Sequence, residues 1–470
     1  MMAADELGSM ARFVPVESLV PDAHAKWRPL VRDALQFVFS NLSAERLRVK
    51  IAEQMMLPAD TPPEQRLLRL VSRMPGLQKL GQVLARNRRL SPALRRALEE
   101  LENGMSDAEP DEIRGIIRQE LGAALEENGV RMAAHILKEG SAAAILAFTW
   151  RNSGGALERG VFKVLKPYVP ACFSEDMSLL QRLGEYLSSP ERGYEFAVRD
   201  LRDMIAEVRM LLEHELEFTR EQATLVEAAR GYRSSIGIRV PRLIPQLCSD
   251  RVTAMSEETG VKVTDACRRS PVRRRRIARQ LIEALIAVPL LSREDISVFH
   301  ADPHAGNLLY DEPNRELVIL DWALAERLNL ESRRRLVMLA LMMVLRNRAG
   351  VLEAAKALGR TKKRSLIPRM VNHFFDNLPA DHRPGVLDAM HLLDHLALEG
   401  VRFTAPLFLF RKIVFTLDGV LQDVQESEVR IDEVIAREYL TRCAASLGIF
   451  HAPLTAKDLT WNLGRALLSA

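Results

Sequence analysis

Three short apolar runs between residues 131 and 165 interrupt a chain that otherwise has mostly helical spacing. They cover residues 133–137, 143–150 and 161–165, and breaks containing glycine separate them at 139–140 and 152–155. Short apolar runs between such breaks are typical of β-strands. We therefore predict three antiparallel strands inside a mainly helical chain, which is an α+β fold class.

The segments before these strands have the period of helices. Leu, Arg, Glu and Ala recur at helical spacing over residues 28–57 and 64–104, which predicts a helical N-terminal extension. Residues 107–112 are acidic and include Pro110, a pattern that favours the start of a helix ending at Gly122.

The segments after the strands are again mainly helical. We predict one long helix over residues 201–231, and a mostly helical chain from residue 270 onward. Strand-like patterns occur between them at residues 236–241 and 251–255, and the helical pattern after residue 270 is interrupted at 299–309 and 317–321.

Composition excludes several classes of protein. The 66 Lys and Arg residues against 62 Asp and Glu give a net charge of +4, which argues against a nucleic-acid coat protein and predicts no nucleic-acid partner. The four cysteines form no CxxC pair, which fits a reducing cytoplasm. The first six residues include Asp5 and Glu6 where a signal peptide would need basic residues. The longest apolar run, residues 336–345, is about half of the ~20 residues that a span requires. We expect a cytoplasmic protein with no transmembrane helix.

The densest polar cluster in an apolar setting lies at residues 299–310. Asp302 and Asn307 are five residues apart, and Asp321 ends an apolar run fourteen residues after Asn307. Phosphoryl transfer from Mg-ATP needs a carboxylate near the acceptor, with an Asn and an Asp to hold the metal. The spacing matches a kinase catalytic loop and its metal-binding Asp.

Two other interpretations of this cluster stay open. His300, Asp302 and His304 could form a hydrogen-bonded core turn, with Asp321 capping a strand, because Asp and Asn often occur at this spacing by accident. A cluster of His and Asp metal ligands is a weaker alternative, since zinc favours a different ligand pattern.

Lys163 stands inside the apolar run 161–165, where a solvated lysine is unusual. A buried ammonium group needs an anionic partner. Glu217 and Glu221 are four residues apart on the predicted 201–231 helix and would share one face, and Glu221 is the predicted partner. The alternative is that these acids face water.

The phosphate loop of ordinary kinases is absent from the sequence, as is a P-loop. Residues 140–144, Gly-Ser-Ala-Ala-Ala, stand in its place. Alanine restricts φ more than glycine, so phosphate contact through these backbone amides should be stiffer. The alternative is a small-residue strand packed under a helix.

Together these features resemble the UbiB/AarF family of atypical protein-kinase-like proteins, also called ADCK-type. Upstream, residues 78–82, Gln-Lys-Leu-Gly-Gln, are similar to the KxGQ signature of that family's helical extension, followed by Ser91-Pro92 and residues 98–101. The similarity runs from about residue 65 to about 425. The motifs that carry it are the Ala-rich turn at 140–144, Lys163, Glu215 to Glu217 with Glu221, residues 300–307, and Leu320-Asp321.

The resemblance implies a two-lobe protein-kinase-like fold in which the KxGQ helices lie across the active site. It implies that Lys163 contacts the α- and β-phosphates of ATP or ADP and pairs with Glu221, and that Asp302 is the catalytic Asp. Asn307 and Asp321 would hold Mg²⁺. The family is linked to ubiquinone and other isoprenoid-lipid metabolism and behaves more like an ATPase than like a kinase of proteins.

Further nucleotide-site residues follow from the same resemblance. Glu215 would be the first acid of the ExD motif and would meet Lys79. The predicted cofactor-binding residues are Ser141, Ala142, Ala143, Lys163, Lys79, Gln82, Glu215 and Met255. The resemblance divides the chain into a helical region of unassigned role (1–64), the KxGQ extension (65–130), a small β-containing lobe (131–260) and a large helical lobe (261–470).

The sequence also departs from the family pattern. Glu217 stands where the family has Asp, Trp322-Ala323 where it has Phe-Gly, and Ala305 where it has Pro. Residues 455–470 are too short and polar for the transmembrane helices of many bacterial relatives. The intact catalytic positions favour an enzyme, whereas the departures favour a pseudokinase scaffold. A small-molecule phosphotransferase of the aminoglycoside or choline kinase type is a third alternative.

Residues 268–276 contain six arginines. Such a run could contact anionic lipid at the inner face of a membrane, at up to about 1 kcal/mol per charge. The alternative is a solvated helix start. The expected partners are therefore a nucleotide, an isoprenoid lipid or quinone-pathway enzymes, and an anionic membrane surface contacted peripherally.

Overall fold

The computed structural model describes residues 16–20, 22, 25, 28–85, 107–194, 198–424 and 429–445. The chain divides into two compact units. The first contains residues 1–220 and 243–257, and the second contains residues 221–242 and 258–470.

A four-stranded antiparallel sheet is the centre of the first unit, with strand order β1-β2-β3-β5. Its strands are β1 Arg131–Glu139, β2 Ala143–Arg151, β3 Leu157–Leu165 and β5 Val252–Ser256. β2 and β3 pair along their whole length, which places Lys163 of β3 between Ile145 and Thr253 on the neighbouring strands. The three antiparallel strands predicted from the sequence are confirmed.

The first unit also contains helices, some packed against this sheet and others against one another. The helices are α1 Val16–Leu19, α2 Arg28–Ser40, α3 Ala44–Met56, α4 Pro63–Val71, α5 Pro75–Ala85, α6 Pro110–Leu121, α7 Ala123–Glu127, α8 Tyr168–Leu187 and α9 Val198–Leu216. α6 begins at Pro110 and ends before Gly122, whose φ of 46° terminates the helix, as predicted. Residues 86–106, with the Ser91-Pro92 and 98–101 motifs, lie outside the described residues.

The N-terminal helices share one apolar core with α8 and α9. Phe39, Leu70, Met74, Leu180 and Leu212 are buried together in it. Burial of these side chains fixes α4 and α5 against α8 and α9, since buried apolar area is the main favourable term in helix packing.

The single helix predicted over residues 201–231 is wrong. α9 ends at Leu216, and α10, Phe218–Gly231, begins after Glu217. Phe218 is buried against Leu165 and Val169, and this packing redirects the chain although no Gly or Pro marks the break. Glu217 lies between the two helices and is exposed, whereas Glu221 is buried, so the two acids do not share one helical face.

The second unit contains two small sheets and the remaining helices. One sheet has the order β4-β9-β8-β6 and the other pairs β7 with β10. The strands are β4 Ile238–Arg239, β6 Val261–Lys262, β7 Ile296–His300, β8 Leu308–Asp311, β9 Glu316–Ile319 and β10 Ala325–Asn329. The predicted interruptions at 299–309 and 317–321 are confirmed, whereas β10 is not among the predicted strands.

The helices of the second unit account for most of its residues. After α10 they are α11 Val263–Ala266, α12 Pro271–Ile282, α13 Val288–Leu290, α14 Leu330–Val344, α15 Arg348–Leu358, α16 Leu366–Asp376, α17 Val386–Leu398, α18 Ala405–Asp423 and α19 Ile431–Ala445. A π-helical turn over Glu283–Ala287 joins α12 to α13. Among the helices that the model describes, none is long and apolar enough to cross a membrane.

Candidate functional site

His300 organises the loops that carry the predicted catalytic residues. Its ring is fully buried at the end of β7, and its Nε2 donates to the carbonyl oxygens of Leu320 and Asp321 at 3.0 and 2.9 Å. Its Nδ1 accepts from the backbone N–H of Asp302 at 3.3 Å. Carbonyls can only accept, so the ring carries its proton on Nε2, and burial lowers the pKa of His300, which favours this neutral form.

Asn307 is joined to both loops. Its side-chain Nδ2 donates to the Asp302 carbonyl at 3.3 Å, and its own carbonyl accepts from the Leu320 N–H at 2.9 Å. Because the amide nitrogen is used in this way, the remaining polar atom of the buried side chain is the acceptor Oδ1, a ligand type that Mg²⁺ prefers.

Asp321 is exposed, whereas the three residues that follow it, 322–324, are buried. Its φ of 52° lies in the left-handed region, which Asp tolerates better than most residues, and its Oδ1 accepts from the Ala323 N–H at 3.3 Å. An exposed carboxylate on a residue whose backbone carbonyl is held by His300 suits a metal ligand.

Trp322 anchors the loop that contains Asp321 within the core. It is almost fully buried, its Nε1 donates to the Ile319 carbonyl at 3.1 Å, and its ring makes edge contacts with Tyr232 and His300. The indole is larger than the usual Phe and has a hydrogen bond of its own, so it holds Asp321 in a set position.

Lys163 is buried in the sheet of the first unit, with 8% of its surface exposed. Its Nζ lies 5.9 Å from the centre of the Phe218 ring, within the range of a cation–π contact. Glu221, the predicted partner, is buried in the second unit. The Lys163–Glu221 ion pair stays a prediction.

The Ala-rich loop is a tight turn between β1 and β2. The Gly140 N–H donates to the Ala143 carbonyl at 2.8 Å, and the Ala142 carbonyl accepts from the Lys166 N–H at 2.9 Å. Ala142 and Ala143 are buried in an apolar cluster that includes Phe218. These alanines therefore pack against the core, and stiffer phosphate contact through their backbone amides stays a prediction.

Glu215 brings together the two separate motifs of the first unit. It forms a salt bridge with Lys79 of α5, and its Oε2 accepts from the Ser141 hydroxyl at 2.8 Å. The Lys79–Glu215 contact implied by the family resemblance is present, and Ser141 joins it. The roles of the three side chains in nucleotide binding stay predictions.

For three other predicted site residues, the structure gives mainly their location and burial. Met255 is half-buried on β5, in register with Val161. Gln82 lies on α5, but its side chain is outside the described residues. Asp302 is partly buried, and its Oδ2 lies 3.9 Å from Nε2 of His304.

One charged cluster was not predicted from the sequence. Lys166 is fully buried and bridges Asp107 and Glu139 at 2.7 and 2.9 Å. The signal available was a second lysine in the same apolar segment as Lys163, three residues later and directly before Pro167. Asp107 and Glu139 lie 59 and 27 residues before Lys166 in the chain, so spacing alone could not identify them as its partners.

Comparison with known proteins decides the family. A family model described as the ABC1 atypical kinase-like domain matches residues 100–355. The chain belongs to the ABC1 atypical kinase-like family. This confirms the resemblance to UbiB/AarF proteins, the kinase-like fold and the α+β class.

Curated relatives of this ABC1 protein are distant in sequence. The Arabidopsis thaliana protein "ACTIVITY OF BC1 COMPLEX KINASE 7, chloroplastic" is 27% identical over 310 residues, covering 65% of this chain and 43% of the relative. "Probable protein kinase UbiB" of Haemophilus ducreyi is 28% identical over 251 residues, with coverage of 50% and 43%. "Uncharacterized protein sll1770" of Synechocystis is 25% identical over 364 residues, with coverage of 75% and 60%.

This ABC1 chain therefore spans between 43% and 60% of the length of these three relatives. Among solved structures, that of Rv3197 from Mycobacterium tuberculosis in complex with erythromycin aligns with 83% of this chain and 97% of its own. The TM-score is 0.48 and the identity is 15%.

Proposed function

We propose that this ABC1 protein binds ATP or ADP with Mg²⁺ and hydrolyses or transfers the terminal phosphate of ATP. The observation that carries the proposal is the His300 anchor, which joins the backbone of Asp302 directly to that of Asp321. A shared buried anchor holds the two carboxylates at a fixed separation, which is what positioning in phosphoryl transfer requires.

Each residue has one task in this proposal. Asp302 orients the attacking hydroxyl or water and receives its proton, and Lys163 fixes the phosphates of the substrate. Asn307 supplies an amide oxygen and Asp321 a carboxylate to the metal, a donor set that fits Mg²⁺. When bound, the metal would neutralise negative charge on the phosphates.

The names of relatives supply the pathway part of the proposal. Several are called probable protein kinase UbiB, so we place the activity in ubiquinone or other isoprenoid-lipid metabolism. A second candidate is a weakly active pseudokinase that holds nucleotide or lipid and organises partner enzymes. The rigid packing of Trp322 favours it, since a metal loop that cannot move would bind nucleotide without efficient turnover.

The test measures thermal unfolding of the full chain with ATP or ADP, with and without Mg²⁺. Wild type should be stabilised by about 2.7 kcal/mol at a ligand concentration 100 times the dissociation constant. Asp321→Asn should lose the Mg²⁺-dependent part, because an amide cannot replace a carboxylate charge at a metal. Asp381→Asn, at an exposed aspartate of the same unit, is the matched control.

Turnover then separates the two candidates. Phosphate release from ATP by wild type, lost in Asp302→Asn, supports the enzyme, whereas Mg²⁺-dependent binding without release supports the scaffold. If no nucleotide changes the melting temperature of wild type with or without Mg²⁺, the enzyme and the nucleotide-binding form of the scaffold are both wrong.

We also propose peripheral contact with an anionic membrane through α12 and the turn before it. Arg268, Arg275 and Arg279 are exposed there, and the neighbouring Val272 is 70% exposed. Exposed arginines beside an exposed apolar residue suit a surface that rests on acidic lipid headgroups.

A further inference from the structure

A buried charged cluster surrounds Lys166 in the first unit. The Nζ of Lys166 lies 2.7 Å from Oδ1 of Asp107 and 2.9 Å from Oε2 of Glu139. The Tyr168 hydroxyl donates to the Asp107 carboxylate at 2.9 Å. The side chains of Lys166, Asp107 and Glu139 are 1%, 2% and 7% exposed, so the charges have little access to solvent. None of these residues has a task in the proposed reaction.

Lys166 holds the Ala-rich loop at both ends. Its ammonium group bonds Glu139, the residue immediately before Gly140, and its backbone N–H donates to the Ala142 carbonyl at 2.9 Å. Glu139 also accepts from the backbone N–H groups of Asp107 and Ala108 at 3.1 and 3.2 Å. The loop that presents Ser141 is therefore attached directly to this cluster.

The same cluster reaches the turn that leads into α5. The Asp107 carboxylate accepts from the Arg73 N–H at 3.2 Å, and the Arg73 guanidinium donates to the Asp107 carbonyl at 3.0 Å. Three residues later, the Gly76 N–H donates to Asp176 at 2.8 Å. Lys79 follows within the first turns of this helix, so its position depends on these anchors.

We propose that Lys166, Asp107 and Glu139 are positioning residues that set the Ala-rich loop and α5 relative to each other, so that Ser141 and Lys79 meet at Glu215. The proposal rests on the proposed nucleotide site for its functional consequence. If the cluster shifts, Lys79 no longer neutralises Glu215 beside Ser141, and an uncompensated carboxylate at the phosphate loop weakens binding of an anionic nucleotide.

The choice of charged residues is consistent with a positioning role. A buried ion pair often contributes little net stability compared with apolar residues of the same volume. A hydrogen-bonded charge, however, accepts only a few geometries, whereas an apolar cluster tolerates many. Lys166 meets two carboxylates from separate segments, and that arrangement fixes the register of both segments at once.

The main test uses Glu139→Gln, which keeps the shape of the side chain and an oxygen that can accept from Asp107 and Ala108. It removes the charge opposite Lys166. Tyr168→Phe is a second, milder variant that removes one hydrogen bond to Asp107. Glu127→Gln, at an exposed glutamate of α7 in the same unit, is the matched control.

Amide hydrogen exchange of the full chain tests the positioning itself. In Glu139→Gln, exchange should become at least tenfold faster both in residues 73–80 and in residues 140–142, while residues 144–151 of β2 stay as protected as in wild type. Tyr168→Phe should change the same two segments by a smaller factor. The proposal is overturned if exchange becomes faster in only one of these two segments or in neither of them. It is also overturned if β2 loses as much protection as the two segments do.

Nucleotide affinity tests the consequence. The dissociation constant for Mg-ATP should rise five- to tenfold in Glu139→Gln, and less than twofold when the same change is made in a Lys79→Met background, because both changes act through Glu215. If Glu139→Gln instead raises the dissociation constant by the same factor in the wild-type and Lys79→Met backgrounds, the two changes act independently and the proposal is contradicted. Absence of nucleotide binding by wild type would refute the proposed function, whereas the exchange experiment would still decide the positioning role.

Discussion

Asp176 places a carboxylate under α5 in a setting that favours protonation. Its side chain is 1% exposed, and it accepts from Gly76 and pairs with Arg46 at 2.8 Å. Burial raises the pKa of Asp176, and it outweighs the opposing effects of Arg46 and the Gly76 amide. Between the unfolded pKa near ~3.9 and the raised folded value, the folded state therefore binds more protons than the unfolded state.

This imbalance predicts a pH dependence of stability. The quantity to compare is the free energy of unfolding of wild type minus that of Asp176→Asn. This difference should fall as pH rises through the folded pKa of Asp176, by at most about 1.4 kcal/mol per pH unit, and should stay constant at higher pH. Urea unfolding of both proteins between pH 4 and pH 7 measures the difference. A difference that grows with pH would mean that Arg46, not burial, controls the carboxylate.

At the same scale, sequence reasoning identified some side chains and missed others for a clear reason. Asp302, Asn307 and Asp321 occupy a short stretch of chain, so their spacing alone predicted that they belong together. Glu215 and Lys79 meet across 136 residues, and only the family resemblance linked them. Lys166 and Asp107 had neither local spacing nor a motif, so their contact is visible only in the structure.

At the scale of elements, β3 tests how closely the sheet is packed. A Cβ added to Gly160 would lie 2.5 and 2.8 Å from the ring of Phe148, which stacks on Phe162. On α6, Gly115 is exposed, and a Cβ there would meet nothing within 4 Å. The two glycines therefore offer opposite responses to the same substitution.

Gly160→Ala should destabilise the protein by about 1–3 kcal/mol, because the Phe148 ring must move within a filled core. Gly115→Ala should stabilise it by about 0.5–1 kcal/mol, because alanine loses less entropy than glycine in a helix. Denaturant unfolding of both variants beside wild type checks the signs. If both variants lose stability equally, the sheet is not the tightly packed element that the distances indicate.

Elements were predicted where their signal is local. The breaks around β2 and the capping residues of α6 lie in the sequence next to the elements they bound. The break at Glu217 has no such mark in the sequence. It is caused by burial of Phe218 against side chains that lie about 50 positions earlier in the chain. β10 was missed because the residues of β7 with which it pairs lie 25 to 33 positions earlier, by the difference of the paired residue numbers, and because its own pattern is weak.

At the scale of the whole molecule, the near balance of charge conceals a local excess. The net charge is +4, yet residues 268–276 concentrate arginines at the start of α12. A cavity of about 510 Å³ beside α12 is lined by Arg275 and Arg279 but also by Glu283 and Glu433. The local charge is therefore partly compensated, and its attraction to an anionic surface is smaller than a count of arginines suggests.

Sedimentation with lipid vesicles tests the proposed membrane contact. Wild type should bind vesicles that contain phosphatidylglycerol and not vesicles of phosphatidylcholine alone, and the binding should weaken with salt, since the Debye length is only about 8 Å at 0.15 M ionic strength. Replacing Arg268, Arg275 and Arg279 with Gln should reduce binding by about tenfold, below the ~1 kcal/mol per charge limit because of the nearby glutamates.

The matched control removes the same charge from another exposed segment of the same unit. Lys362, Lys363 and Arg364 lie on an exposed turn before α16, and replacing all three with Gln also lowers the net charge by three. If membrane contact is local to α12, this control binds vesicles as wild type does. Equal loss in both variants would show that the overall charge, and not the arginines of α12, drives association, because a uniform field does not distinguish the two positions.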